Sequence, residues 1–189
     1  REELARAVEY AHVRDVRIYV TVNTLIADHE MEDALDFLRF LYNTGVDAVI
    51  VQDLGLIRLA RRALPELELH ASTQMTVHSS PAAEMLRETG LKRIVLAREM
   101  SLEEIKEVKA GSNVEAEVFV HGALCICYSG QCLMSSMIGG RSGNRGRCAQ
   151  PCRLQYQLET AGGKAFFSAA ETGEYLLSPR DLNLAGYLP

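Results

Sequence analysis

No run of this chain approaches the ~20 apolar residues that a membrane-spanning helix needs, so no membrane span is expected. The opening Arg1-Glu2-Glu3-Leu4 is charged and helical in pattern, which offers no secretory signal and leaves a cytoplasmic protein as the expectation. No G-x-G-x-x-G phosphate loop follows any strand-like segment. There is no G-x-S-x-G nucleophile elbow and no H-E-x-x-H zinc helix, so the local signatures of common peptidases are missing. A formal net charge of -5 argues against a chain that coats nucleic acid non-specifically, while leaving room for a local basic patch. The first 124 residues contain no cysteine, and all five cysteines fall between Cys125 and Cys152. A secreted disulfide scaffold is usually short and cysteine-rich throughout. An odd count crowded into one segment is the opposite pattern, although one or two disulfides in an exported protein remain the alternative.

What is there, over the first two-thirds, is an alternation of helical and extended segments. Residues 2–13 place Leu4, Ala7, Val8 and Ala11 on one helical face, and residues 16–22 read as a β-branched strand. Residues 30–44 are helical in period with Gly45 as the stop, followed by a strand at 48–51 and a helix at 54–63 that Pro65 ends. A strand at 67–71 precedes a helix opened by Ser80-Pro81, with the serine as cap, and closed by Gly90. A strand at 93–97, a capping box at Ser101–Glu104 before another helix, and a strand at 114–120 complete the series.

Such alternation implies α/β architecture with parallel strands and right-handed crossovers. Without a phosphate loop, a TIM-like (β/α) barrel is favoured over an open doubly wound sheet. A full eight-unit barrel takes ~250 residues; five clear units precede residue 121, so a truncated barrel is expected. Residues 1–152 are assigned to the partial barrel and its cysteine-rich loop. Residues 153–178 form a β-rich insertion, with short strands at 153–159 and 166–177 around Gly162-Gly163 and Gly173, and 179–189 return to the barrel.

Chemistry in a barrel gathers at the carboxyl ends of the strands, and each candidate strand here ends in polar residues. The candidates for catalytic roles are Asn23, Gln52, Ser72, Gln74, Arg98, Glu117 and His121, with Thr24, Asp53, His70, Thr73 and Glu99 beside them. Each alone has a structural alternative: Asp53 as a helix cap, Thr24 as turn chemistry, His70 as a hydrogen-bonded core residue. Their coincidence at all five ends points to a polar pocket and names no reaction.

The densest signal is HGALCICYSGQCLMSSMIGGRSGNRGRCAQPCR, residues 121–153. Six residues separate Cys125 from Cys132, fifteen separate Cys132 from Cys148, and three separate Cys148 from Cys152. A short pair plus a second pair delivered by a glycine-rich loop can converge thiolates on a soft metal or a cluster. Zinc knuckles more often use two- or four-residue spacers, which are absent here. Cys127 is the spare, read as a small buried hydrophobe. Arg141, Arg145, Arg147 and Arg153 interleave with glycines, a pattern read either as an anion clamp for substrate or as a solvated basic loop.

The segments VTVNTLI, DAVIVQDLG, LHASTQMTVHS, EVFVHGALC, YSGQCLMSS, GGRSGNRGRCAQPCR and SPRDLNL, in that order, resemble the peptidase U32 family over nearly the whole chain. The resemblance implies a barrel with a β-rich insertion and an iron–sulfur cluster, 4Fe–4S in type, on Cys125, Cys132, Cys148 and Cys152, with zinc as the alternative. Some members carry a cysteine where this chain has Asn183, so the fourth ligand stays open between that region and Cys152. The family name implies collagenase-like proteolysis. Related members are instead iron–sulfur proteins that support hydroxylation of RNA bases or of a quinone precursor, some with prephenate as co-substrate. The resemblance thus implies a cluster-dependent hydroxylase acting on tRNA, rRNA or a small aromatic substrate. Its alternatives are a peptidase and a non-catalytic iron–sulfur subunit working with a partner subunit.

Overall fold

The computed structural model describes residues 1–163, 165–168 and 175–187, the backbone alone for 165–168. The chain divides into two compact units, Arg1–Val118 and Phe119–Pro189, where the sequence suggests boundaries at 152 and 178.

The first unit is the α/β alternation. Strands β1 (Tyr19–Val22), β2 (Ala48–Val51), β3 (Leu69–Ala71), β4 (Arg93–Val95) and β5 (Glu115–Glu117) make one parallel sheet in sequential order. Helices α1 (Glu2–His12), α2 (Met31–Thr44), α3 (Leu54–Ala63), α4 (Ser80–Glu88) and α5 (Leu102–Ala110) precede or join them. Each crossover advances by one place in the same direction, so right-handed connections put the joining helices on a single face. A doubly wound sheet would reverse its order at a switch point; this one does not. Among the described residues the sheet is open, with β1 and β5 as its edges.

The register divides the sheet into two chemistries. Val22, Val51, Ala71, Ile94 and Ala116 form one cross-strand row. That row, with Val49 and Leu69, packs on Leu38, Leu41, Leu56 and Leu86 from the helices and makes the core. The neighbouring row is Thr21, Ile50, His70, Arg93 and Glu115. Because side chains alternate along a strand, this second row points to the opposite face.

Local chemistry explains where elements begin and end. Asp53 caps α3: its Oδ1 accepts from Leu56 N at 2.8 Å, and Oδ2 accepts from Ile26 N at 3.2 Å. Asp53→Ala removes both bonds and is expected to cost about 1–2 kcal/mol, read as a lower urea midpoint with an unchanged slope. Ser101 and Glu104 form the expected capping box on α5. Gly45, with φ of 83°, ends α2 as expected. For α4 the cap is Ser79, whose Oγ accepts from Ala82 N, not Ser80. Ser80 Oγ instead donates to Glu107 O at 3.1 Å.

The strands are shorter than their sequence patterns. Val16 and Arg17 lie outside β1, because the partner strand begins only at Ala48. A turn returning Val16 N to Ala11 O fills the gap. Leu67 N bonds back to Leu64 O before β3 begins. Residues 118–120 do not extend β5.

In the second unit, β6 (His121–Gly122) pairs antiparallel with β9 (Leu182–Asn183), and β7 (Gln157–Glu159) pairs antiparallel with β8 (Ala165–Ser168). Between them lies the short helix α6 (Met134–Gly139). The expected strand at 153–159 is therefore reduced to its last three residues, since Pro151–Arg153 forms a 3-10 turn. Of the strand expected at 166–177, residues 166–168 lie in β8 and 175–177 are not strand, while 169–174, Gly173 among them, lie outside the described residues. The expected return of the chain end to the barrel takes the form of β9, which pairs with β6 and not with the parallel sheet.

Candidate functional site

Four strand-end candidates share the polar face of the parallel sheet. Alternation carries that face from Thr21, Ile50, His70 and Glu115 to Asn23, Gln52, Ser72 and Glu117. Asn23 Nδ2 donates to Ser72 Oγ at 3.4 Å, and Gln74 N donates to the same oxygen at 3.2 Å. Ser72 is 1% exposed with its oxygen accepting twice, which is poor access for a hydroxyl nucleophile. Glu117 is turned toward Arg93, Oε2 to Nη1 at 3.5 Å. Arg98 is half-buried just beyond β4.

Beneath these ends the face is ionic. Glu68 bonds His70 Nε2 and Lys92 Nζ, each at 2.9 Å. Burial would raise the Glu68 carboxyl, but bonds from His70 and Lys92 hold it below its ordinary value. Arg93 Nη2 reaches Glu115 at 2.8 Å, and its guanidinium lies over the Tyr19 ring. The bond to Glu115 outweighs partial burial and keeps Arg93 firmly protonated. Tyr19 meets the buried His70 ring edge-on at 4.9 Å. This layer holds the sheet's polar face in shape and is a structural role for His70.

Gln52, Asp53 and Gln74 line a cleft of about 420 Å³ whose other walls are apolar, Leu25, Met75, Val77 and Met85 among them. The sequence reading missed these walls; their signal was large apolar side chains at strand-end positions. It also missed the His78–Glu99 pair, Nε2 to Oε1 at 3.1 Å.

In the second unit the turn carrying Cys148 and Cys152 is built with care. Ala149 N donates to the Oγ of buried Ser135 at 2.9 Å, and Gln150 N donates to Cys148 Sγ at 3.3 Å. Gln150 takes a left-handed φ of 55°. Pro151 is buried, and its carbonyl accepts from Tyr156 Oη at 3.0 Å. All five cysteines are unbridged, with Cys125 and Cys148 exposed and Cys127, Cys132 and Cys152 half-buried. The chain bends at 126–127, and Cys127 there is half-buried, not fully buried as expected. Unbridged thiols and a sulfur already accepting an N–H suit a soft metal or cluster as donors. Among the described residues, however, no three His, Cys, Asp or Glu side chains are gathered to hold a metal ion. The donor chemistry of these thiols fits such a group, although the thiols are not gathered in this structure.

The four arginines separate into different roles. Arg153 donates to Ser178 Oγ at 2.7 Å, Pro179 O at 3.2 Å, Leu124 O at 3.0 Å and Asp181 Oδ1 at 3.1 Å. Its fork ties together three segments of its own unit. Arg141 Nε donates to Arg147 O at 3.1 Å, bracing the glycine-rich loop, and Arg141, Arg145 and Arg147 are exposed. His121 is exposed in β6, opposite Asn183 in β9.

The family model described as Peptidase family U32 matches residues 1–189. The chain is 42% identical over 180 residues to a 23S rRNA 5-hydroxycytidine synthase of Escherichia coli, covering 95% of this chain and 26% of that protein. It is 40% identical to tRNA hydroxylation protein P1 of Bacillus subtilis, covering 100% of this chain and 45% of the relative. It is 38% identical to an uncharacterized protease of Methanocaldococcus jannaschii, at 100% and 47% coverage. The chain thus spans less than half the length of these curated relatives. The solved structure of the U32 peptidase Mk0906 superimposes with a TM-score of 0.55 at 18% identity, covering 65% of this chain and 53% of that one; the likeness is one of fold. No helix among the described residues is long and apolar enough to cross a membrane.

Proposed function

The chain belongs to peptidase family U32, and from that premise we propose that it is part of an enzyme that hydroxylates a base in ribosomal or transfer RNA with the help of an iron–sulfur cluster. The observation that carries this reading is the segment 119–158, which has four arginines, four of the family-motif cysteines and no acidic residue in a chain of net charge -5. Such a segment attracts a polyanion locally although the whole chain would not. The relatives named for hydroxylation of rRNA and tRNA support the same partner.

Cys125, Cys132, Cys148 and Cys152 would hold the cluster, which when bound supplies one-electron chemistry. Arg145 and Arg147 contact phosphate and set the strand's register without reading sequence. Asn23, Gln52 and Gln74 orient the target at the strand ends. On the fold, the finer reading is that the sequential sheet belongs to a (β/α) barrel; its single winding direction and one-sided crossover helices support this.

The test is to purify the protein without oxygen, assay iron, sulfide and zinc, and incubate it with unmodified rRNA and tRNA. Matched iron and sulfide with a hydroxylated base found by mass spectrometry is the expected result. A colourless protein that holds zinc or no metal, and leaves both RNAs unchanged, would sink the reading.

A further inference from the structure

We propose that the cleft at the carboxyl ends of β2 and β3 is a binding site for one uncharged nucleobase, admitted edge-on to Gln52 and Gln74. This rests on the RNA reading above and names the part of the substrate that enters the protein. The cleft, of about 420 Å³, falls within the size range of small-molecule sites, roughly 300–1,000 Å³. All the residues that line it belong to the first unit.

Three observations fix the ligand's chemistry. Gln52 is only 8% exposed, and its Oε1 is buried with no hydrogen-bond partner among the described residues. A buried amide oxygen left in that state is unfavourable, so a ligand N–H that reaches it gains what the fold leaves unmade. Gln74 lines the same cleft with its backbone N–H already bonded to Ser72, leaving its amide as a second polar edge. The one charged residue at the cleft, Asp53, has Oδ1 on Leu56 N and Oδ2 on Ile26 N. It is tied to capping, and its charge disfavours a phosphate or carboxylate at this spot.

The remaining surface is apolar, with Leu25 and Met85 half-open to solvent at 44% and 54%. A flat ring between apolar side chains with primary amides at its edge is how a base turned out of its stack is held. A primary amide carries one acceptor and two donors, which match the alternating edge of a base.

Saturation-transfer NMR with cytidine and uridine, against ribose as control, tests this without a cluster or any turnover. Wild-type protein is expected to bind a nucleoside saturably and not ribose. Gln52→Leu is expected to weaken binding about tenfold while melting no lower than wild type, because it deletes an unpaired buried oxygen. Met85→Glu, at the open rim, is expected to weaken it too, and it decides the matter should Gln52→Leu fail to fold. No saturable binding by wild type, or wild-type binding in Met85→Glu and in a folded Gln52→Leu, would overturn the proposal. Nucleoside binding by a protein that takes up no iron would leave this site standing and remove the hydroxylase reading. Hydroxylation of RNA by a protein that binds no nucleoside would do the reverse.

Discussion

Cys132→Ala and Cys148→Ala are each expected to lose most of the iron and sulfide that the protein takes up anaerobically, while Cys127→Ala keeps them. A cluster is held by thiolates, and its stability falls steeply when one of four is removed. Cys148 is the most informative position. Its sulfur accepts the Gln150 N–H at 3.3 Å. Hydrogen bonds to ligand sulfurs are a main determinant of a cluster's potential and stability. Cys127 sits at the bend of 126–127 and is the one cysteine outside the four of the family motif. Iron and sulfide assays on the three variants, with circular dichroism to confirm folding, decide the ligand set. Full uptake by both Cys132→Ala and Cys148→Ala would discard the assignment. Full uptake by Cys152→Ala, with loss in Asn183→Ala, would move the fourth ligand to β9, opposite His121.

Much of the first unit was legible because its signals are local. Apolar spacing marked the first two helices and capping signals the last two, and the Ser101–Glu104 box and Gly45 stop lie within a few residues of the ends they mark. Strand ends were not, because a strand stops where its neighbour stops: Val16 has strand chemistry but faces no partner before Ala48. Ser79 and Ser80 are chemically equal caps, and only the extended backbone at Ser79 selects it. The pairing of residues 121–122 with 182–183 joins two-residue strands across some sixty positions, too short for any periodicity to announce.

At the candidate site the sequence named side chains without their structural duties. Asp53 proved to cap α3 and to accept from Ile26 N in the loop after β1, and Ser72 to be an acceptor shared by Asn23 and Gln74. The unpaired oxygen of Gln52 exists only because of what surrounds it, and composition does not carry that. Arg153 read as one of four equivalent arginines in a basic, glycine-rich loop. Its acceptors stand 25 to 29 residues away, so its difference from the others is a tertiary fact.

That difference gives a paired prediction. Arg153→Ala is expected to destabilise the second unit by about 2–3 kcal/mol, because bonds from a charged donor to Leu124 O, Ser178 Oγ and Pro179 O vanish together and their partial burial leaves the carbonyls wanting. The contact with Asp181 adds little, since that carboxylate is 60% exposed. Arg147→Ala, by contrast, deletes an exposed side chain whose backbone carbonyl, not its guanidinium, bears the contact with Arg141. It is expected to leave the melting temperature near wild type while weakening RNA binding and lowering the slope of log affinity against log salt by about one. Thermal melts and filter binding across a salt series separate the two. Equal effects of both substitutions on RNA binding, with stability untouched in each, would return Arg153 to the anion clamp. A salt slope unchanged in Arg147→Ala would remove that loop from the RNA contact, because a phosphate ligand that releases no counterion is not one.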